Sequence, residues 1–526
     1  MGYAEGTDRN QIFCMYCLDD EIAQDNPVRL IDLLVDKVFH DRPEMHIRKG
    51  NNEVGRPPYS PEAMIKLFLY GYINRISSSR RLADECKRNI EAKWLINSLE
   101  PKYHAIADFR KNNKQLIKDI TIAFRIMLMD WGLITGNRVA IDGTKIKGNT
   151  NAHGLLSPSK LEEKISKLDI DIDKYLKLLE ENDNKRKSSD DDINNDNDDS
   201  DNDSMIQESI QKQIDKLQSK QSKLKKLLEK SKAENNRKIP RTDPDARSMI
   251  KGRNSLLGYN VQFIVDSLHK LIMSTHISDA NVDINEMIPA MEALKKELDI
   301  VPNEMIADNG YENTVALQEI EAKDETEVYV MGKKGDLKES KKFKKKDFIY
   351  DEESDIYTCP AGNTLTKQSK KGSLKVKRYR FRYQASAKKC NKCHQKSKCT
   401  TAKSGRNIYR YVDEKWLEEY HKKMQTNYAK SLLRKRKGMI EHVFGVIKCW
   451  MGKYPLLLRG KHNIETEINI YATAYNLKRI IKLFGFDLVK EMIMEVNLPQ
   501  FIDSFFLKSN MTYYPTYFAQ ISNIQI

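Results

Sequence analysis

Apolar residues recur at helical spacing through residues 1–135. Ser60-Pro61-Glu62 reads as a helix start, a capping side chain followed by Pro at the first helical position. Met64, Leu67, Phe68 and Tyr72 then repeat in steps of three and four, and Ser77-Ser78-Ser79 breaks the pattern. A second helix is expected from near Arg80 (with Leu82 and Cys86) and a third over Ala92–Ile96. A longer one is expected over Ala105–Leu128, with Ile106, Phe109, Leu116, Ile120 and Phe124 on one face. Short helices, a polar turn and basic positions such as Arg80, Arg81 and Arg110 predict a helix-turn-helix-like DNA reader. A plain helical bundle with a solvated basic face is the other reading of the same pattern.

The period changes at Arg138. Arg138–Gly143 reads as a short apolar strand that ends in an acid. Residues 156–245 then read as a coiled-coil arm. Ser159 and Glu162 have capping-box spacing. Leu161, Ile165, Leu168, Ile172, Tyr175 and Leu179 alternate steps of four and three, and Ile210, Ile214, Leu217, Leu224 and Leu228, with Gln221 as a polar member, form the returning seam. Between the limbs, Asp190–Asp203 holds eight Asp and no Lys or Arg, which predicts a disordered acidic tip. Strand character returns at Gly258–Asp266 and Leu271–Ile277, a helix fits Ile284–Leu298, and Glu304–Gly310 is again a strand reaching an acid. A basic, Cys-bearing insertion covers 331–428. Helices follow at Arg434–Trp450 and Ile464–Leu483, and 486–526 is a tail without a motif. The expected organisation is therefore an all-α N-terminal domain (1–135) before an α/β core assembled from 136–155, 246–330 and 429–485. That core is a mixed sheet with helices, interrupted by the arm and the insertion.

Composition sharpens this picture. The chain has 526 residues, 40% apolar and 31% charged, with a net charge of +15, and the acidic tract means that the remainder is more basic still. A polyanionic partner fits, most simply nucleic acid. No apolar run approaches the ~20 residues of a spanning helix. The N-terminus lacks the basic-then-apolar pattern of a secretory signal, and Gly6 stands where myristoylation needs Ser or Thr. Eight Cys in so long a chain do not suggest a disulfide scaffold. A reducing cytoplasm and no membrane contact are the expectation.

The chemistry centres on three acids. Strand ends place carboxylates at the edge of a sheet, so Asp142 and Asp308 are candidates. Glu441 sits on a helix whose Ile440, Val443, Phe444 and Ile447 form one apolar stripe. Three carboxylates converging from separate segments suit two Mg²⁺ ions, which prefer oxygen ligands. Singly, Asp142-Gly143 and Asp308-Asn309-Gly310 read equally well as turns, and Glu441 as a solvated helix residue.

Five blocks in order carry a resemblance. The helical stretch Arg56–Arg110, Ala140-Ile141-Asp142-Gly143-Thr144, Gly258-Tyr259-Asn260-Val261-Gln262, Ala307-Asp308-Asn309-Gly310-Tyr311 and Glu441-His442-Val443-Phe444-Gly445-Val446-Ile447-Lys448 resemble the successive blocks of bacterial insertion-sequence transposases with a DDE active site. The resemblance implies an RNase H-like fold, two Mg²⁺ or Mn²⁺ ions on Asp142, Asp308 and Glu441, and cutting and strand transfer at the ends of a mobile element. The implied partners are the element's terminal inverted repeats and target DNA, gripped by a homodimer or larger assembly. In such transposases a Tyr-Arg-Glu-Lys signature grips DNA. Lys448 matches its Lys, whereas the Arg position is Lys437 and the Tyr position is Arg434, with Arg436 nearby. The rivals are an inactive, domesticated DNA-binding protein and a metal nuclease that cuts without joining. Cys359, Cys390, Cys393 and Cys399 leave two readings open, a structural Zn²⁺ site or free thiols in a Lys-rich loop. Cys14 and Cys17 have CxxC spacing with no partner pair and read as ordinary thiols.

Overall fold

The computed structural model describes residues 8, 12–13, 16–46, 57–151, 154–189, 199–251, 254–330, 342–373, 378–451, 456–496 and 498. Six helices open the chain: α1 Pro27–Asp41, α2 Pro61–Ile73, α3 Ser79–Arg88, α4 Ile90–Leu95, α5 Tyr103–Asn112 and α6 Lys114–Asp130. The cap of α2 is as predicted: Ser60 Oγ accepts from the Ala63 N–H at 3.1 Å, with Pro61 in the first turn. The long helix expected over Ala105–Leu128 is two helices. Asn113 breaks it by leaving the helical region and turning its own amide back to the Phe109 carbonyl, local competition with the helix ladder that is typical of Asn.

The central sheet forms from β1 Arg138–Lys147, β2 Arg247–Lys251, β3 Asn254–Asp266, β4 Ile272–Ser278, β5 Glu304–Ala307 and β6 Glu327–Val330. β1, β3 and β4 are an antiparallel meander, and β5 and β6 run parallel to β1 on its other side. The spatial order is thus β4-β3-β1-β5-β6, with β2 pairing the first residues of β3 on the same side as β4. This is the mixed sheet of the RNase H-like fold that the resemblance implied. Helix α9, Met287–Leu298, links β4 to β5, and α10, Thr314–Asp324, links β5 to β6.

Two excursions leave the sheet. The first is an antiparallel hairpin of α7 Pro158–Ser189 and α8 Asp199–Ala233. Among its described residues the buried apolar side chains, Leu161, Ile165, Ile172 and Ile214, are seam positions. Its start lies two residues before the expected capping box: Ser157 Oγ accepts from the Lys160 N–H, and Pro158 opens the helix. Most of the acidic tract, residues 190–198, lies outside the described residues, and the tract's last residues from Asp199 already belong to α8. The second excursion is a five-stranded antiparallel meander: β7 Ile349–Asp351, β8 Ile356–Thr358, β9 Thr364–Ser373, β10 Arg378–Ala385 and β11 Asn407–Tyr411. Helices α11 Glu414–Gln425, α12 Asn427–Met451, α13 Lys461–Phe484 and α14 Phe486–Glu495 follow. The expected tail therefore begins with a helix. Its Val489, Met492 and Ile493 are buried, and it packs on α1.

Helix α13 joins the N-terminal helices to the sheet. It packs on α2, α6 and β4. Asn476 gives both halves of its amide to the Ile272 backbone, at 2.8 and 2.9 Å, satisfying an edge strand. No helix among the described residues is long and apolar enough to cross a membrane.

A buried ion cluster ties α6 to α9. Arg125, 1% exposed, donates to Glu297 at 2.8 Å, and Lys118 approaches the same carboxylate at 3.1 Å. The remaining Arg125 nitrogens, Nε and Nη2, have no acceptor. Removing the carboxylate strands a buried guanidinium. Glu297→Leu should therefore lower stability by about 3–5 kcal/mol, read as the shift in urea unfolding. A loss below about 1 kcal/mol, the range of exposed pairs, would show that Arg125 finds water instead.

Candidate active site

The parallel pairing of β1 with β5 sets Arg138 opposite Glu304 and Ala140 opposite Ile306. Continued by two residues, that register brings Asp142 level with Asp308. Asp142 is not at a strand end, as the sequence suggested. It lies inside β1, which runs on to Lys147 because β3 pairs with it all the way. What ends at this level is the other neighbour, since β5 stops at Ala307. The mouth is therefore cut by a short neighbouring strand.

Asp142 is paired with Phe263 across β1 and β3, so both side chains leave the same face of the sheet. Helix α12 covers that face, with Phe444 packed edge-on against Phe263 at 5.8 Å. Arg436 on this helix reaches Asp142, Nη1 to Oδ2 at 3.3 Å. Burial first, and then the Asp308 carboxylate, push Asp142 up to about 6 against the pull of Arg436. Asp308 caps the next turn, accepting the Gly310 N–H at 2.7 Å.

The opposite face carries residues that sequence reasoning had treated only as a block. Asn260 and Gln262 are fully buried, and their side-chain amides both donate to Asp283 Oδ1, at 2.6 and 2.8 Å. Gln262 also accepts from the Tyr311 hydroxyl. Gly143 lies opposite Gln262, and a Cβ there would stand 2.5 Å from Asp283 Oδ1. The block thus anchors the Asp308–Tyr311 turn to β3. Asp283 was missed because it sits in a polar loop with no strand to announce it.

Glu441 is not brought to the aspartates. It is 64% exposed and its nearest cation is Lys437 at 3.9 Å, on its own helix. Five residues separate it from Arg436, roughly 140° around the helix. Among the described residues no three His, Cys, Asp or Glu side chains are set to hold a metal ion as they stand. Of the expected DNA contacts, Arg80, Arg81, Arg434, Lys437 and Lys448 are exposed. Arg110 is corrected: it is 3% exposed and held by the Tyr72 hydroxyl and the Ser77 carbonyl, so it is a structural cation of the helical domain. Arg436 likewise serves Asp142. A groove beside α12 that the sequence reading passed over is lined by Arg75, His442, Lys478, Arg479 and Lys482. The run Lys478-Arg479…Lys482 near the end of α13 was its one signal.

Residues 16–112 match the family model described as a transposase domain (DUF772), and residues 358–481 match the transposase DDE domain. Both matched segments are thus similar to domains of transposases, the second to a DDE domain. Neither matched segment includes Asp142 or Asp308. A cryo-EM structure of the piggyBac transposase synaptic complex with hairpin DNA is similar over 95% of this chain and 85% of its own, at 12% identity and a TM-score of 0.29. No curated protein matches the chain.

The raised Asp142 value means that the folded, metal-free protein holds this proton more tightly than the unfolded chain does. Rising pH between about 4 and 6 therefore weakens the fold through this group. In chelator-treated protein the Asp142 carboxyl should titrate near pH 6 by carbon-13 NMR. Asp308→Asn should lower that midpoint without restoring an ordinary value, because burial is the larger cause. An unmoved midpoint would remove Asp308 from the neighbourhood of Asp142.

Proposed function

We propose that this transposase cuts DNA at the ends of its element and joins the freed ends to target DNA, with Asp142, Asp308 and Glu441 as its acidic residues. The observation that carries this reading is the register that sets Asp142 level with Asp308, beneath a basic helix. Two half-buried carboxylates, mutually repelling, are a donor set suited to hard divalent cations. Bound Mg²⁺ or Mn²⁺, two ions in the usual arrangement, would activate the attacking oxygen and stabilise the leaving one.

The chain's own residues do the rest. Asn260, Gln262, Asp283 and Tyr311 hold the Asp308 turn in register with β1. Arg436 offsets the charge of Asp142. Lys448, Lys437 and Arg434 on α12, the groove of Arg75, Lys478, Arg479 and Lys482, and Arg80 and Arg81 of the helical domain take up phosphates and position the duplex. Water attacks first, with no covalent enzyme–DNA intermediate, and the freed 3′-hydroxyl then attacks the target. Glu441 completes the acidic set only if α12 presents it to the aspartates once DNA is bound. A homodimer or larger assembly would bring two ends together.

Asp142→Asn, Asp308→Asn and Glu441→Gln should each reduce end cleavage by about 10²–10³-fold or more while end binding is retained. The assay resolves cut from joined products, so a nuclease that never joins is recognised directly. Full cleavage by Glu441→Gln would remove that residue from the site and turn attention to Asp283.

For the basic surface, Lys448→Gln or Lys482→Gln should weaken binding about equally for specific and unrelated DNA. Each should also reduce the slope of log affinity against log salt by about 1. An unchanged slope would place that side chain away from the phosphates.

A further inference from the structure

The five-stranded sheet of residues 342–411 has its own small core, separate from that of the rest of the protein. Among the described residues seven side chains form it: Phe348, Tyr357, Leu365, Tyr383, Ala385, Cys390 and Ile408. A core this size rarely holds a sheet of this length alone, and small modules commonly add disulfides or a metal. The four cysteines of the segment are unbridged. They nevertheless gather in one place from separate pieces of chain. Cys359 follows β8, Cys390 lies in the short helix Ala387–Asn391, Cys393 follows that helix, and Cys399 ends the short helix Lys396–Cys399.

All four line a single cavity of about 20 Å³ at the end of the small core. That is room for one occupant the size of a water or an ion. Polar donors and a cation approach the cluster. The Asn363 N–H donates to Cys359 Sγ at 3.3 Å, within a tight turn closed by Gly362 N–H to the Cys359 carbonyl at 2.8 Å. The guanidinium of Arg406 lines the same cavity, fixed by the carbonyls of Cys399 and Phe343 at 3.2 and 2.9 Å. Gly405, at φ +89°, lets the neighbouring turn press on this cluster: a Cβ there would lie 3.5 Å from Cys390 Sγ and 2.7 Å from the Ala385 carbonyl.

We propose that Cys359, Cys390, Cys393 and Cys399 bind one Zn²⁺ as a closed, structural four-thiolate site that staples the β-module. Binding releases the thiol protons, and the resulting net negative charge is offset by Arg406 and by Lys388, Lys389, Lys392, Lys396 and Lys398. The thiols as they stand are not set to hold an ion, so the sulfurs draw inward to the ~2.3 Å of a zinc–thiolate bond. All four positions are taken by sulfur, so the site keeps no open place for catalysis. The proposal is independent of the Asp142 and Asp308 chemistry, and its test does not read activity.

Full-length protein, purified without chelator and without a metal-affinity tag, should carry about one Zn per chain by elemental analysis. X-ray absorption at the zinc edge should show four sulfur neighbours. The variant carrying Cys390→Ser and Cys393→Ser should lose the metal, and hydrogen exchange should rise across 342–411 while β1, β3 and β4 keep their protection. Should that variant fail to fold, Co²⁺ exchange into the wild-type protein still decides. Strong thiolate-to-cobalt charge-transfer absorption with tetrahedral d–d bands supports the site. Wild-type protein that neither carries zinc nor takes up Zn²⁺ or Co²⁺ overturns it. So do a coordination shell with fewer than four sulfurs and a coloured iron centre in place of zinc.

Discussion

Three parallel residue pairs between β1 and β5 decide whether this protein has an acidic site at all. They place Asp142 beside Asp308, and a slip of one residue would turn every side chain of β1 to the other face. Such a short parallel contact cannot hold its own register. It is fixed from the other side, where β1 pairs with β3 without interruption from Val139 to Lys147. Val139, Ala140 and Ile141 are fully buried immediately before Asp142. The apolar run thus locks the strand, and the acid follows where the parallel neighbour gives out.

That arrangement survives two long insertions because each is closed at its base. The arm leaves and returns through a small antiparallel pair, Leu155 with Pro240 and Leu156 with Ile239, so β1 and β3 meet almost as a simple hairpin would. The β-module leaves after β6, and helix α11 returns from it to the point of exit. There the Val330 N–H donates to the Tyr420 hydroxyl at 3.0 Å, and Trp416 donates to Glu321 at 3.1 Å. Lengthening a loop whose ends are already tied costs little, since closure entropy grows only with the logarithm of length. Each insertion also buries its own apolar residues, the seam of the hairpin and the small core of the module, and makes few demands on the sheet.

Much of this was legible from the sequence, for identifiable reasons. The strand at Arg138, the seams of the arm, the cap at Ser60 and the helices around Glu441 and Asn476 all carry strong periodicity over many residues. The five strands of the module were not read. β9 and β10 are rich in Lys and Arg, and their aromatic residues, such as Tyr379, Phe381 and Tyr383, alternate with cations that mask the apolar period. The break at Asn113 was lost because the apolar stripe continues across it on two helices. Asp283 and the Arg75–Lys482 groove depend on contacts between segments remote in sequence, which periodicity does not report. Arg110 misled because a basic residue next to Lys111 looks solvated, whereas the Tyr72 hydroxyl and a carbonyl pull it inward.

The covering helix shows how sequence spacing can mislead about charge. The family signature places an arginine four residues before the glutamate, where this chain has Lys437. The structure instead engages Arg436, one position earlier and 100° away around the helix. A buried carboxylate beside a second one needs a cation whose geometry is preorganised, and a guanidinium on a rigid helix meets that need better than a flexible, strongly hydrated ammonium. Arg436 is 16% exposed and Lys437 72% exposed, so the two cations have divided the work. One neutralises Asp142 beneath the helix, and the other remains in solvent beside Glu441. The orientation of α12 is set by Met439, Ile440, Val443, Phe444 and Ile447, all buried against the sheet. The same apolar stripe therefore fixes which charge faces Asp142, and any motion that presents Glu441 to the aspartates has to withdraw Arg436 from Asp142.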